Sequence, residues 1–267
     1  MSETTALVPA EQGSREIAPM QANVQLEDMK RPLLKVIQAI SPEVNDLGVA
    51  AGQFFATVLN AELGKEITVT VLGHKKEFIL WNPQRGVEPL ILARSSDGAT
   101  WDDDGANKEF NVVIPNVGKV KWLTKGSVAE SGLHLFGSSV ASNKDSKPAL
   151  AETHNFLLHI HDEDMLPVAI SLSRSKMDAA RSLLTICFGS SADPRSLKVK
   201  IRIVPKQKDG QDYFNVVPMR AGKNDEETYY RMVDLSKRFE RFSTDADTDE
   251  NRGGSARANV DTSTVEY

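Results

Sequence analysis

Lys198, Lys200 and Arg202 recur at every second position of one stretch, with Leu197, Val199, Ile201 and Ile203 between them. Alternate side chains of a strand stand on the same face, so this spacing predicts a row of cations above an apolar underside. Lys206 and Lys208 extend the run, Asp209-Gly210 is a hairpin signal, and the returning segment brings Tyr213 and Phe214. Cations and aromatic rings on one sheet face are the chemistry that holds single-stranded nucleic acid. The cations track phosphates, and each ring stacked on a base contributes about 1–3 kcal/mol. Neighbouring residues of a strand face opposite ways, so one of Tyr213 and Phe214 joins the cations and the other enters the core. The sequence leaves open which. Lys35, Lys75, Lys76, Lys119 and Lys121 are further candidates for phosphates, and Trp81 and Trp122 for stacking. The competing reading is a wet strand face whose edge lysines resist aggregation.

Other reactive residue types form weaker patterns. His159-x-His161 with Asp162, Glu163 and Asp164 has the composition of a divalent-metal site, since positions two apart share a strand face. The three acids fall together in one turn, however, and no further His or Cys motif supports them, so a solvated turn is the simpler reading and no metal is expected. Trp101-Asp102-Asp103-Asp104-Gly105 lacks the alternating acids and distal Glu of a calcium loop. Cys187, the only cysteine, falls on an apolar helical stripe and reads as a small buried residue. One cysteine excludes disulfides within the chain and multi-cysteine zinc sites. No Ser-His-Asp spacing, phosphate-binding glycine loop or dinucleotide fingerprint is present, so neither catalysis nor a cofactor has support.

The elements that must position these residues are mostly strands. Of 267 residues, hydrophobic and charged fractions are ordinary for a globular chain, and no apolar run approaches the ~20 residues that span a bilayer. Residues 1–25 lack the basic start and apolar core of a signal peptide. The net charge of −5 hides an asymmetry. Residues 1–28 carry five acids and one base, and residues 243–267 six acids and two bases, so the body between them is net +3. The expected organisation is a disordered acidic arm over 1–28, one folded domain over 29–242 and a disordered acidic tail over 243–267. Strands are expected near 33–38, over Ile67–Leu72 and Glu77–Trp81 with Gly73–Lys76 turning between them, and at 87–93. Others are expected at 110–114, 118–123, 155–160 and 166–172. A helix capped by Ser175 and stopped by Gly189 precedes the basic hairpin, with Met177, Ala180, Leu184 and Cys187 on one stripe. A second runs from Asp225 to Phe242, burying Met232, Leu235, Phe239 and Phe242.

Several short motifs carry a resemblance. Arg31-Pro32-Leu33-Leu34-Lys35-Val36-Ile37-Gln38 is followed by Ser41-Pro42-Glu43-Val44 and Gly52-Gln53-Phe54-Phe55. Leu63-Gly64 then precedes a strand, Leu80-Trp81 ends one, and Leu166-Pro167-Val168-Ala169-Ile170-Ser171-Leu172 precedes a helix. Over about residues 30–220 the chain resembles a group of tailed-bacteriophage early proteins regarded as single-stranded DNA-binding proteins. The resemblance implies an OB-like barrel; with the element pattern above, the expected fold is α+β, predominantly β, an OB-like antiparallel barrel with long loops and one helix on either side of the basic hairpin. The resemblance further implies a role in phage DNA replication or recombination and no enzymatic chemistry. The single cysteine makes an intracellular, reducing location the default expectation, the host cytoplasm for a phage-encoded chain. The end Glu266-Tyr267 is similar to the acidic, aromatic-terminated tails of T7-type phage proteins, which dock on replication enzymes. It departs from them in its dilute acids, interrupted by Arg252 and Arg257. Two other classes remain as alternatives: a phage structural or assembly protein using the same sheet for protein contacts, and a metal-dependent nuclease built on His159 and His161.

Overall fold

The computed structural model describes residues 32–240, apart from 85–86, 103–104, 141–142, 162, 164, 190 and 209–210. The first part of the chain runs β1 (Leu34–Val36), α1 (Pro42–Asp46), β2 (Phe54–Ala56), β3 (Ala61–Glu62), β4 (Glu66–Trp81), β5 (Ile91–Ser95), β6 (Glu109–Ile114) and β7 (Gly118–Leu123). It continues through α2 (Val128–Ser131), β8 (Leu150–Ile160), β9 (Val168–Ser173), α3 (Met177–Phe188), β10 (Leu197–Lys208), β11 (Gln211–Lys223) and α4 (Glu226–Arg238). The protein is α+β and predominantly β, with α3 before the basic hairpin and α4 after it.

The main sheet has the order β11-β10-β4-β8-β9, with β5 paired to the far end of β4; every ladder in it is antiparallel. β1-β2-β3 form a small sheet and β6-β7 a separate hairpin. The expected barrel is not closed by continuous ladders. Instead the segment around β1 spans the gap between the two sheet edges. Leu33 bridges Ala169 of β9, whose N–H donates to the Pro32 carbonyl at 2.9 Å. At the other edge the Gln38 side chain takes the place of a strand. Its Nε2 donates to the Phe214 carbonyl at 2.9 Å, and its Oε1 accepts the Phe214 N–H at 2.8 Å. An edge strand's unpaired backbone groups are satisfied here by one amide.

The main core lies inside this open curve. Val69, Val71, Phe156, Leu158, Ile160, Ile170, Val199 and Ile201 meet Leu34 and Phe54 from the small sheet, and α3 closes the end with Ala180, Leu183 and Cys187. A second core joins Leu80, Ala93, Trp101, Trp122, Val128 and Leu150. On the opposite face Met232 of α4 and Phe239 at its C-terminal end pack against Leu72 and Leu157. Each such fully buried side chain contributes roughly 1.5–3 kcal/mol of transfer free energy.

Several local expectations change. Gly73–Lys76 is no turn: β4 runs unbroken for 16 residues because β8 pairs along nearly its whole length. The glycine marks a bulge instead. Val71 opposes Leu158 and Gly73 opposes Leu157, which leaves Leu72 as the extra residue, turned under α4. Ser175 does not cap α3; a short 3₁₀ turn over Arg174–Lys176 intervenes, and Lys176 stands at the cap. Gly189 does end that helix, but with φ −75°, so it is needed for space: a Cβ there would collide with the Thr185 carbonyl. The strand expected at 87–93 begins only at Ile91. α4 starts as expected, with the Asp225 carboxylate accepting the Thr228 N–H at 2.7 Å, and ends at Arg238. Glu226 and Glu227 in its first turn and Lys237 and Arg238 in its last complement the helix dipole. The position Phe242 lies outside the described residues.

Candidate nucleic-acid interface

β10 alternates as its sequence demands. Leu197, Val199, Ile201 and Ile203 are buried, Lys198 and Lys200 are half-buried and Arg202 and Lys206 are exposed. The strand extends beyond β4, which it meets only from Val199↔Val69 to Arg202↔Glu66, so its last third is paired on one side alone, by β11. Pro205 sits in that overhang, where the missing N–H deprives no neighbouring strand, and Pro218 lies on the edge strand β11 for the same reason.

The β10–β11 register settles the aromatic pair. Directly opposed residues share a face. Tyr213 opposes Lys206, and Phe214 opposes Pro205. Tyr213 therefore stands with the cations. Phe214 turns inward, packs against the main core and crowds Gly52, where a Cβ would lie 2.8 Å from its ring. Gly52 has φ +80°, so its backbone and the close ring both require a glycine. The expected Asp209-Gly210 turn lies outside the described residues, although Lys208↔Gln211 is the last pair of the ladder. Of the Lys208 side chain nothing is described.

The cationic face continues across β4. Glu66, opposite Arg202, reaches Lys200 at 2.7 Å. Thr70 Oγ1 donates to the Leu197 carbonyl at 3.0 Å, lies 2.8 Å from His161 Nε2 and accepts from Asn224 Nδ2 at 3.0 Å. Asn224 thereby carries the chain from β11 onto this face, and α4 bounds the row of cations at its Lys198 end. That helix is held by Arg195, which donates to Asp193 at 2.6 Å and to Ser236 at 3.0 Å, while the Tyr229 hydroxyl donates to Asp193 at 3.3 Å. The Arg195 guanidinium holds the Asp193 carboxyl below the usual carboxylate range. Lys198 faces the Asp225 carboxylate at the start of α4, while Arg202 and Lys206 make no ion pair among the described residues.

The secondary candidates do not converge on this face. Lys35 is paired with Glu43 at 2.8 Å, Lys76 with Glu152 at 2.8 Å and Lys121 with Glu109 at 2.6 Å. Strand alternation puts Lys75 and Lys76 on opposite faces of β4. Lys119 and Lys121 do share an exposed face, but of the separate β6-β7 hairpin. Trp122 is 4% exposed and donates its indole N–H to the Ser139 carbonyl, so it has no ring face free for a base. Trp81 is half-buried at the far end of β4. Glu266 and Tyr267 lie outside the described residues.

Four of the five histidines form two pairs. His159 and His161 stand edge to face, 5.3 Å between centroids, and His74 Nε2 lies 2.9 Å from His154 Nδ1. Asp162 and Asp164 lie outside the described residues. Among those described, no three His, Cys, Asp or Glu side chains gather closely enough to hold a metal ion. Cys187 is buried, and burial pushes its thiol up to about 12. No helix among the described residues is long and apolar enough to cross a membrane.

Fold and site thus define a predominantly β protein with a cation-lined overhanging hairpin. The chain belongs to the family of Pam3 phage gp34-like proteins, whose model matches residues 3–243, so this is a phage protein. No curated protein and no solved structure matches it.

Proposed function

We propose that this phage protein binds single-stranded DNA without sequence preference and serves phage DNA replication or recombination as a binding protein rather than an enzyme. The observation that carries this reading is the β10–β11 register. It sets Tyr213 across from Lys206, on the face that already carries Lys198, Lys200 and Arg202. A strand of nucleic acid laid along this face meets Lys198, Lys200 and Arg202 in succession and, past the uncharged Val204, Lys206 with one ring beside it at the overhanging end. The net basic body between two acidic ends supports the same reading. The end at Glu266 and Tyr267 is proposed to dock on phage replication or recombination enzymes.

The test is a titration of fluorescently labelled thymidine oligonucleotide against a duplex of equal length at low salt. Preferential binding of the single strand is expected. No binding of either, with the protein recovered instead in virions, would replace the proposal with an assembly role.

A further inference from the structure

A cleft of about 510 Å³ opens where the far end of β4 meets the end of β9 and the loops around Pro115 and Pro148. Its walls combine the half-buried Trp81 with Pro83 and Pro148, and its polar side carries Arg174 and Lys147. No Asp or Glu lines it among the described residues. Both cations are exposed, and neither side chain makes an ion pair among the described residues.

Arg174 is also conformationally unusual. It follows the last residue of β9 with φ +51°, a left-handed backbone that L-residues other than Asn and Asp seldom adopt. Backbone strain of this kind persists only where the surrounding structure imposes it, and it clusters at active sites and ligand clamps. The cleft falls in the size range of small-ligand sites. An aromatic wall offers stacking, and two uncommitted cations with no opposing carboxylate select an anion. One chemical class meets both demands. We propose that this cleft binds a nucleoside phosphate, its base against Trp81 and its phosphate on Arg174 and Lys147.

The cleft is separate from the hairpin: β10 pairs with β4 at residues 66–69, whereas Trp81 ends that strand. The inference therefore stands apart from the hairpin reading. The ligand is either a free nucleotide or one nucleotide of a DNA strand.

Thymidine 5′-monophosphate should shift the indole N–H resonance of Trp81 in the full chain and bind at about millimolar concentration or tighter. Thymidine without phosphate should bind more weakly. Arg174→Gly keeps the backbone conformation that glycine adopts freely, so its melting temperature should equal or exceed that of the native protein. Nucleotide affinity in that variant should fall about tenfold or more, and Lys147→Ala should fall in the same direction. The triple variant Lys198→Ala, Lys200→Ala, Arg202→Ala should bind the mononucleotide as the native chain does, which separates failure of the hairpin from failure of the cleft. If Arg174→Gly also weakens a short thymidine oligonucleotide, the source is a DNA strand; if only the mononucleotide is affected, it is the free nucleotide. No shift of Trp81 with the native chain overturns the proposal. So does Arg174→Gly binding at native strength, or melting well below the native protein.

Discussion

Tyr213 stands directly across the β10–β11 ladder from Lys206, while its neighbour Phe214 opposes Pro205 and presses against Gly52 in the wall of the core. Two adjacent aromatic residues thus have opposite duties, and they should respond oppositely to truncation. Tyr213→Ala should weaken oligonucleotide binding by about 1–3 kcal/mol with little change in melting temperature. Phe214→Ala should lower stability by about 2 kcal/mol or more through the cavity it leaves. Anisotropy and thermal denaturation of the two variants check this. Loss of DNA binding in Phe214→Ala alone, with a native melting temperature, would reverse the assignment.

The cation row should show in the salt dependence. If four to six phosphates are neutralised, log affinity for single strands falls with log salt at a slope of about −3 to −4. Changing Lys198, Lys200 and Arg202 together to Ala should flatten that slope by about 2. An unchanged slope would mean that the phosphates lie elsewhere.

Glu66 works against the same face. Its carboxylate holds Lys200 at 2.7 Å and lies across from Arg202, so it competes with phosphate for both. The Lys200 and Glu66 side chains are 41% and 42% exposed, so solvent screens the pair and little stability is at stake. Glu66→Gln should tighten oligonucleotide binding by about twofold to fivefold at low salt, the gain shrinking as screening increases. Weaker binding in this variant would show that Glu66 positions Lys200 instead of restraining it.

Acid should destabilise the fold through its histidines. Burial, and then the neighbouring His154 and Lys76, push His74 down to about 4. Burial, and then His161 and Arg231, do the same to His159. In the unfolded chain both take up a proton near 6.5. Between those values the unfolded state holds more protons, so stability is lost as pH falls from about 6.5 towards 4 and is flat above that window. Melting temperatures across this range should show the loss, and His159→Gln should make it shallower. An identical slope in the variant would exclude His159 as a source.

Cys187 should be inert in the native state. With its thiol buried and pushed up to about 12, it carries almost no thiolate at pH 8. A thiol reagent should label it only after denaturation. Stoichiometric labelling of the native chain within minutes would contradict its placement on the buried face of α3.

Much of the fold was legible because burial imposes a period. The alternation in β10, the Lys119–Trp122 alternation in β7, the Asp225 cap and the burial of Met232, Phe239 and Cys187 all follow from a 2-residue or 3.6-residue repeat against a core. Gly73–Lys76 misled for a physical reason. A glycine followed by polar residues reads as a turn locally, but the partner strand β8 continued past it and absorbed one residue as a bulge. Trp122 and Lys35 show the same limit. An indole or a lysine has the right chemistry for DNA wherever it occurs, and only packing shows that one is buried and the other is held by Glu43. Arg174 gave no local signal, because a left-handed arginine is imposed by its surroundings rather than by its own preference.

By itself, then, the sequence determined that a strand with cations on one face and a hydrophobic underside would form, and that helices would flank its hairpin. Both are consequences of local periodicity. Only the tertiary structure decided that Tyr213 and not Phe214 joins those cations, that the sheet stays open and is tied across by Gln38, and that Arg174, Lys147 and Trp81 meet in one cleft. These are matters of register and long-range contact. A one-residue slip between β10 and β11 would exchange the two rings, and nothing within either strand alone forbids it.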